Sequence, residues 1–238
     1  MTAAIIIILL GVILLPIYIR EKIRDYTVKA VFLKTAESVL FMVLAIYSAW
    51  YSASHGSVTT LGVFIITGQL FGLLGDIWLD QKFVYRDDEL KFTYAGFIVF
   101  GIGHILFIIG MLIEYYQKGM LLYVLIPLFL GICCGAGNSL LEKPMKLKYE
   151  NYKTIVIIYG SILFSAVLIS GGMALYYGFS NTTLNLIFFG EILFALSDLV
   201  LSGTYFGEGK ERPVDFIMNY ILYYGGQFLI AFSLFFAK

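Results

Sequence analysis

Eight apolar runs, each close to the length that crosses a lipid bilayer, dominate this sequence of 238 residues. About 20 predominantly apolar residues in an α-helix span the ~30 Å hydrocarbon core. Because the connections are short, the pattern predicts an all-α membrane protein, with residues 1–238 forming one bundle of eight transmembrane helices. The predicted helices cover residues 3–19, 31–50, 58–79, 92–113, 120–141, 154–177, 183–206 and 214–236.

The composition agrees with a membrane protein, since 60% of the residues are hydrophobic and only 13% are charged. The formal net charge is zero, which gives no attraction towards nucleic acid. Two histidines and no Cys-x-x-Cys argue against a conventional zinc site, so we expect neither a metal nor a cofactor. A disulfide between the adjacent Cys133 and Cys134 would be strained, so we expect both to pack as small side chains.

The basic residues are concentrated in the odd-numbered connections between the predicted helices. Basic residues mark the cytoplasmic side of membrane proteins, so we expect both termini on the opposite side, in a bacterial cell membrane or a eukaryotic endoplasmic reticulum. The even connections hold Lys118 alone. The odd connections hold Arg20, Lys22, Arg24, Lys29, Lys82, Arg86, Lys91, Lys143, Lys146, Lys148, Lys153, Lys210 and Arg212.

Two aspartates lie inside apolar segments, where a charge costs about 2.5–3.5 kcal/mol on insertion scales. Asp76 lies in Gly-Leu-Leu-Gly-Asp-Ile-Trp-Leu, near the end of the third segment, and Asp198 lies in the seventh. Asp80, one turn beyond Asp76, is expected to be interfacial and solvated. A structural role for the two deeper acids, such as pairing with Lys34, stays open.

Residues 68–80 and 190–202 align without gaps and bring Asp76 onto Asp198 and Gly68 onto Gly190. Gln69 then matches Glu191, and Gly103-His104 in the fourth segment matches Gly226-Gln227 in the eighth. Because the two aligned segments are four crossings apart, they run in the same direction. We therefore hypothesise a four-plus-four parallel repeat that places the two aspartates at one depth.

Further polar side chains continue this stripe through the predicted helices. Gln69 and Glu191 each lie two helical turns from their aspartate, on the same face. Glu191 is equally compatible with a neutral core acid, and His104 with a satisfied interior histidine. The candidate contacts are Lys34, Gln69, His104, Glu191, Tyr224 and Gln227.

Taken in order, these motifs resemble the YhhN-like lysoplasmalogenases, a family of integral membrane proteins. The similarity lies in Gly-Leu-Leu-Gly-Asp-Ile-Trp-Leu, in Gly96, Phe100 and His104, in Leu-Phe-Ala-Leu-Ser-Asp-Leu-Val-Leu, and in Tyr223-Tyr224-x-x-Gln227. One departure is Thr35, where the family often has proline after the lysine, and it puts the geometry of the second helix in question.

The resemblance implies an eight-helix hydrolase that cleaves the vinyl-ether bond of lysoplasmalogens. The products would be a fatty aldehyde and glycerophosphocholine or glycerophosphoethanolamine, and Asp76 and Asp198 would be the catalytic residues. Lys34 would attract the lipid phosphate.

Acid–base chemistry with two carboxyl groups fits this reaction. A neutral acid protonates the vinyl carbon, and a carboxylate stabilises the oxocarbenium ion and activates water. Two close carboxylates in a low dielectric cannot both ionise, so we hypothesise that Asp76 and Asp198 share one proton. The sequence does not decide which of them donates it.

Two other functions use buried acids. A proton-coupled small-molecule transporter is the main alternative, because repeats and intramembrane acids are typical of transporters. An intramembrane aspartyl protease fits less well, because Gly-x-Gly-Asp is misspaced and Pro-Ala-Leu is absent. The substrate partner that the resemblance implies is a lysophospholipid with a vinyl-ether chain, taken from among the membrane lipids.

Overall fold

Each long apolar segment of the sequence forms a helix. The computed structural model describes residues 1–24, 28–57, 60–207 and 212–237, except the side chain of Leu141. Eight of its helices are long and apolar enough to span a membrane, which confirms the predicted number. They are α1 (Thr2–Arg24), α2 (Val28–Ser54), α3 (Thr60–Val84), α4 (Glu89–Tyr115), α5 (Leu121–Gly137), α7 (Lys153–Tyr176), α8 (Thr182–Phe206) and α9 (Pro213–Ser233).

A one-turn helix, α6 (Glu142–Met145), lies between the fifth and sixth predicted segments. Four 3₁₀ turns, Arg86–Asp88, Asn138–Leu141, Glu150–Tyr152 and Leu234–Phe236, extend or connect the long helices. The described residues contain no sheet, and Leu147 and Gly207 form an isolated antiparallel bridge. Helices satisfy every backbone group internally, which hydrocarbon requires.

The predicted helix boundaries are close to the observed ones, with one informative difference at the end of the fifth segment. The fifth segment was predicted to run to residue 141, but α5 ends at Gly137 and continues as a 3₁₀ turn. The geometry of the second helix, which Thr35 had put in question, is regular: α2 runs without interruption through this residue. The predicted start at residue 58 and the charge of Lys210 lie outside the described residues.

The helices pack most extensively in antiparallel neighbours: α3 with α4, α8 with α9, and α5 with α7. Lys82, Arg86 and Lys91 lie where α3 ends and α4 begins. We call this end of the bundle the basic end. Cys133 and Cys134 are free but exposed on α5, so the expectation that they pack inside is wrong. The face of α5 that contacts α7 is formed by Gly131 and Gly135 instead.

Two glycine pairs let the central helices approach closely at equivalent positions. A Cβ atom at Gly103 would lie 2.9 Å from the carbonyl oxygen of Gly68, which joins α4 to α3. A Cβ atom at Gly226 would lie 2.6 Å from the carbonyl oxygen of Gly190, which joins α9 to α8. Small residues permit this backbone contact between membrane helices.

We expect Gly103→Ala and Gly226→Ala each to lower the free energy of unfolding by about 1–3 kcal/mol, because the methyl group meets a backbone oxygen. Matched controls lie beside them in Gly101→Ala and Gly225→Ala, whose Cβ atoms would find their nearest neighbours at 3.4 Å and 3.5 Å. Unfolding of the purified protein in detergent measures all four. Equal losses in the test and control variants would contradict the close approach.

Candidate active site

Lys34 lies between two buried carboxylates near the basic end of the bundle. Its Nζ atom is 3.1 Å from Asp76 Oδ1 and 2.9 Å from Asp80 Oδ1. The three residues are 5%, 2% and 0% exposed, respectively. Since Asp76 and Asp80 are four residues apart on α3, they share one face of the helix, and α2 presents Lys34 to both. We call Lys34, Asp76 and Asp80 the lysine cluster.

The burial of Asp80 corrects the expectation that it is solvated at the interface. α1 covers this end of α3, and it brings Tyr18 and Lys22 to the carboxylate. The Tyr18 hydroxyl donates to Asp80 Oδ2 at 3.4 Å, and Lys22 Nζ is 3.5 Å from Oδ1. Asp80 lies close to the end of α3, which suggested contact with water. α1 occupies that position instead and supplies the partners of the carboxylate.

Lys34 also differs from its expected role. A lysine that attracts lipid phosphate needs access to the phosphate, whereas Lys34 is buried and paired with two carboxylates of its own chain. The structural alternative considered for Asp76, pairing with Lys34, is what the contacts show.

The second oxygen of Asp76 accepts two hydroxyl hydrogen bonds. Ser38 Oγ donates to Oδ2 at 2.6 Å, and the Tyr223 hydroxyl donates at 2.7 Å. Asp76 is therefore held by an ammonium group and two hydroxyl groups, from α2 and α9. Charge-assisted hydrogen bonds of this kind stabilise the ionised carboxylate.

Asp198 on α8 has a different environment. Its Oδ2 atom accepts a hydrogen bond of 2.5 Å from the Tyr159 hydroxyl on α7. The residue is partly buried, and within the described chain no lysine or arginine forms an ion pair with it. Asp198 thus lacks the cation that Asp76 has.

The two aspartates face one small cavity. Asp76, Asp198, Lys34, Tyr159 and Tyr223 all lie on its wall, and its volume is about 20 Å³. That is room for a single water molecule with several polar partners. The carboxyl groups make no hydrogen bond to each other, and each has its own donors. Asp76 and Asp198 therefore line the same cavity, and each carboxyl group is bound by donors of its own.

An apolar groove continues from Asp198 between α7 and α8, with a volume of about 50 Å³. Its walls are mainly hydrophobic, and Asp198 lies where the groove meets the water-sized cavity. The apolar wall includes Phe97, Val156, Leu163, Phe164, Leu201 and Phe206.

The other predicted contacts form pairs away from the aspartates. His104 Nδ1 is 3.0 Å and 3.3 Å from the two carboxyl oxygens of Glu191, and His104 Nε2 has no partner among the described residues. Gln69 Nε2 donates to the backbone oxygen of Gln227 at 2.9 Å. Both pairs are buried about two helical turns from the aspartates, a distance of ~10 Å along the axis.

Tyr224 acts one contact away from Asp76. Its hydroxyl donates to the Lys34 carbonyl oxygen at 3.2 Å and lies 3.4 Å from Ser38 Oγ. It therefore orients the segment of α2 that carries the donors to Asp76.

Sequence reasoning missed Ser38 and Tyr159, and it named Tyr223 only as part of a family motif, without a role. Ser38 had a usable signal, since it follows Lys34 by one helical turn and so shares its face. Tyr159 had no such signal, because nothing in the sequence distinguishes it from the other tyrosines among the 18 in the chain. Among the described residues, no group of three or more His, Cys, Asp or Glu side chains could hold a metal ion.

Comparison with known proteins gives one match. The sequence model of the YhhN family matches residues 30–234, which include α3 to α9 and most of α2, and every aspartate discussed above. No curated protein sequence and no solved protein structure matches the chain.

We expect Lys34→Met to lower the free energy of unfolding by about 3–5 kcal/mol, because two buried carboxylates lose their shared cation. Adding Asp76→Asn and Asp80→Asn to this variant should restore most of the stability. The control Lys29→Met removes an exposed lysine of α2 that pairs with Glu21, and it should cost less than about 1 kcal/mol. Chemical unfolding in detergent checks the three variants, and an unaffected Lys34→Met would contradict the cluster's role.

Proposed function

The chain belongs to the YhhN family, which includes lysoplasmalogenases, and on this basis we propose that it hydrolyses the vinyl-ether bond of lysoplasmalogens. The observation that carries the proposal is the cavity: two carboxyl groups from different helices face a space for one water molecule beside an apolar groove. The products would be a fatty aldehyde and a glycerophospho-alcohol.

Unequal environments support separate roles for the two acids. Asp76 accepts hydrogen bonds from Lys34, Ser38 and Tyr223, so it is suited to remain a carboxylate. Among the described residues Asp198 accepts a hydrogen bond from Tyr159 and pairs with no lysine or arginine, so it is suited to carry the proton. In a pair of acids, environments that separate the protonation states also separate the catalytic roles.

The reaction balances with these two groups and one water molecule. Asp198 gives its proton to the vinyl carbon that is not bonded to oxygen, which leaves an oxocarbenium ion. Water adds to the cationic carbon, and its proton returns to Asp198, giving a hemiacetal. Cleavage of the carbon–oxygen bond then releases the aldehyde and the alcohol, with Asp76 holding the water and stabilising the cation.

The surroundings of the cavity suit the reactive end of a single-chain lipid. The first carbons of the alkenyl chain would lie in the groove between α7 and α8, among Phe97, Leu163 and Phe164, with the vinyl-ether bond at Asp198. Apolar walls with a few placed polar groups are usual for such sites.

We further propose that residues 1–238 form one domain of two parallel four-helix repeats. α3 packs on α4 as α8 packs on α9, through glycine pairs at positions matched in the sequence alignment. The two polar pairs are equivalent under the sequence alignment. Gln69 of the first half contacts Gln227 of the second, and Glu191 of the second half contacts His104 of the first. Reciprocal contacts of this kind are expected around a pseudo-two-fold axis.

The basic end is proposed to face the cytoplasm, with both termini on the other side. This rests on the placement of basic residues, and single cysteines introduced into a Cys133→Ser, Cys134→Ser background test it. A cysteine at Lys91 should be protected from a membrane-impermeant thiol reagent in intact cells. One at Lys118 should react, and the reverse pattern would invert the topology.

One feature favours the transporter alternative. Glu37 is buried, and neither of its carboxyl oxygens has a hydrogen-bond partner among the described residues. It lies beside a large apolar groove of about 920 Å³ between α1 and α9, away from Asp198. Unpaired acids in membrane helices mark ion pathways in transporters, which the hydrolase mechanism does not need.

We expect Asp76→Asn and Asp198→Asn each to lower aldehyde release from a lysoplasmalogen by at least about 100-fold, the scale of general acid–base catalysis. Asp87→Asn, at an exposed position in the 3₁₀ turn after α3, is the matched control and should retain activity. Purified protein in detergent, with an aldehyde assay, measures all of these.

The saturated ether analogue separates the mechanism from other hydrolases, because it has no carbon that accepts the proton, and we expect no turnover. Retained activity in Asp198→Asn would disprove the proposal that Asp198 is the proton donor. No turnover of the lysoplasmalogen by the unmodified protein, together with substrate-driven proton movement in vesicles, would favour the transporter.

A further inference from the structure

A polar pocket at the basic end of the bundle is not used by the reaction steps above. It has a volume of about 350 Å³ and is formed where α3, α4, α8 and α9 begin or end. This is at the lower end of the size range of small-molecule sites, about 300–1,000 Å³. Its charged members are Lys82, Arg86 and Glu89, and the rest of the wall is Phe83, Thr204, Tyr205 and Phe216.

Lys82 is the unusual member of the pocket, because its charge is almost fully buried and makes no hydrogen bond to the residues that the structure describes. Its side chain is 6% exposed, and its Nζ atom is 3.6 Å from Glu89 Oε1, which is too long for a hydrogen bond. The ammonium group instead lies 3.2 Å from the centre of the Tyr205 ring. No described residue accepts a hydrogen bond from this ammonium group, so it can donate to an oxygen ligand that displaces Glu89.

Arg86 and Glu89 complete the charge pattern at the mouth of the pocket. Arg86 is exposed and makes no ion pair with any described residue, and Glu89 has 53% of its side chain exposed. Two cations and one carboxylate around a single pocket match a ligand that carries an anionic and a cationic group.

Tyr205 connects this pocket to the candidate active site. Its side chain lies on the wall of the polar pocket, of the water-sized cavity and of the apolar groove. A lipid with its reactive bond at Asp198 would therefore have its polar end directed past Tyr205 towards Lys82.

We propose that this pocket binds the head group of the lysophospholipid, with the phosphate on Lys82 and Arg86 and the head-group ammonium on Glu89. The assignment rests on the proposed function. It gives the phosphate a site other than Lys34, whose ammonium group is taken by Asp76 and Asp80. On binding, the phosphate replaces Glu89 as the partner of Lys82, which frees the Glu89 carboxylate for the ammonium group. Phosphate paired with lysine and arginine is a common charge-assisted contact.

Binding of uncleavable lipids by the full chain in detergent tests the pocket separately from turnover. The probes share one saturated 1-O-alkyl chain and differ in the head group: lysophosphoethanolamine, lysophosphatidate and the phosphate-free alkylglycerol. Glycerophosphoethanolamine, which has no chain, distinguishes a lipid site from a site for free phosphodiesters.

Lys82→Gln and Arg86→Gln should each weaken binding of the two phosphate-bearing lipids about tenfold or more and leave alkylglycerol binding unchanged, because a charged hydrogen bond is lost. Glu89→Gln should weaken lysophosphoethanolamine about tenfold and leave lysophosphatidate unchanged or stronger. The control is Lys91→Gln, which removes an exposed lysine paired with Asp88 on the same end of the bundle, outside the pocket.

Arg86 and Glu89 are exposed, so their variants keep the test valid even if the buried Lys82 proves necessary for folding. Unchanged head-group preference in both exposed variants would overturn the proposal, as would equally tight binding of glycerophosphoethanolamine and the lipid. If head-group preference shifts as expected but no lysoplasmalogen is cleaved, the pocket stands and the hydrolase proposal fails. If the unmodified protein cleaves lysoplasmalogen but the Arg86 and Glu89 variants keep its head-group preference, the hydrolase proposal stands and the pocket proposal fails.

Discussion

The lysine cluster is the interaction on which the rest of this end of the protein depends. Two carboxylates and an ammonium group in hydrocarbon are tolerated only if their mutual attraction and further hydrogen bonds repay the loss of water. Lys34 from α2 supplies the attraction, and further donors come from α2 itself (Ser38), from α1 (Tyr18, Lys22) and from α9 (Tyr223). Four helices are therefore held in one relative position by a charge requirement that nonspecific apolar packing would not impose.

The cluster also separates the two deeper aspartates chemically. If Asp76 and Asp198 lay in the same surroundings, their protonation states would be coupled and interchangeable. Lys34 removes that equivalence by pairing with Asp76, whereas the hydrogen bond that the described part of the chain gives Asp198 comes from the uncharged Tyr159 hydroxyl. The reaction proposed for the cavity needs this difference, because a proton donor and a carboxylate must be present at the same time.

Hydropathy and charge were sufficient to predict the eight helices, since hydrocarbon leaves the backbone few other ways to satisfy its polar groups. The internal alignment also predicted that Asp76 and Asp198 lie at similar depth. The partners of each acid were not predictable, because helices that are apolar on every side give no pattern that distinguishes inward from lipid-facing positions. The same lack of pattern leaves the outward position of Cys133 and Cys134 on α5 unmarked in the sequence. Asp80 was misjudged because its burial depends on α1, an element 56 or more residues away in the chain.

The proposed repeat and the different surroundings of the two aspartates are compatible with each other. Glycine pairs in the two halves are conditions for close helix contact, so both halves need them, and the Gly68–Gly103 and Gly190–Gly226 contacts are equivalent. Side chains around the cavity have no such constraint. Tyr223, which donates to Asp76, corresponds in the alignment to Phe100, which cannot donate a hydrogen bond to Asp198 and instead packs edge-on against the Tyr223 ring. In the proposed repeat, two matched helix pairs bring two carboxyl groups to one cavity, and different side chains on the inner face give each group a different environment.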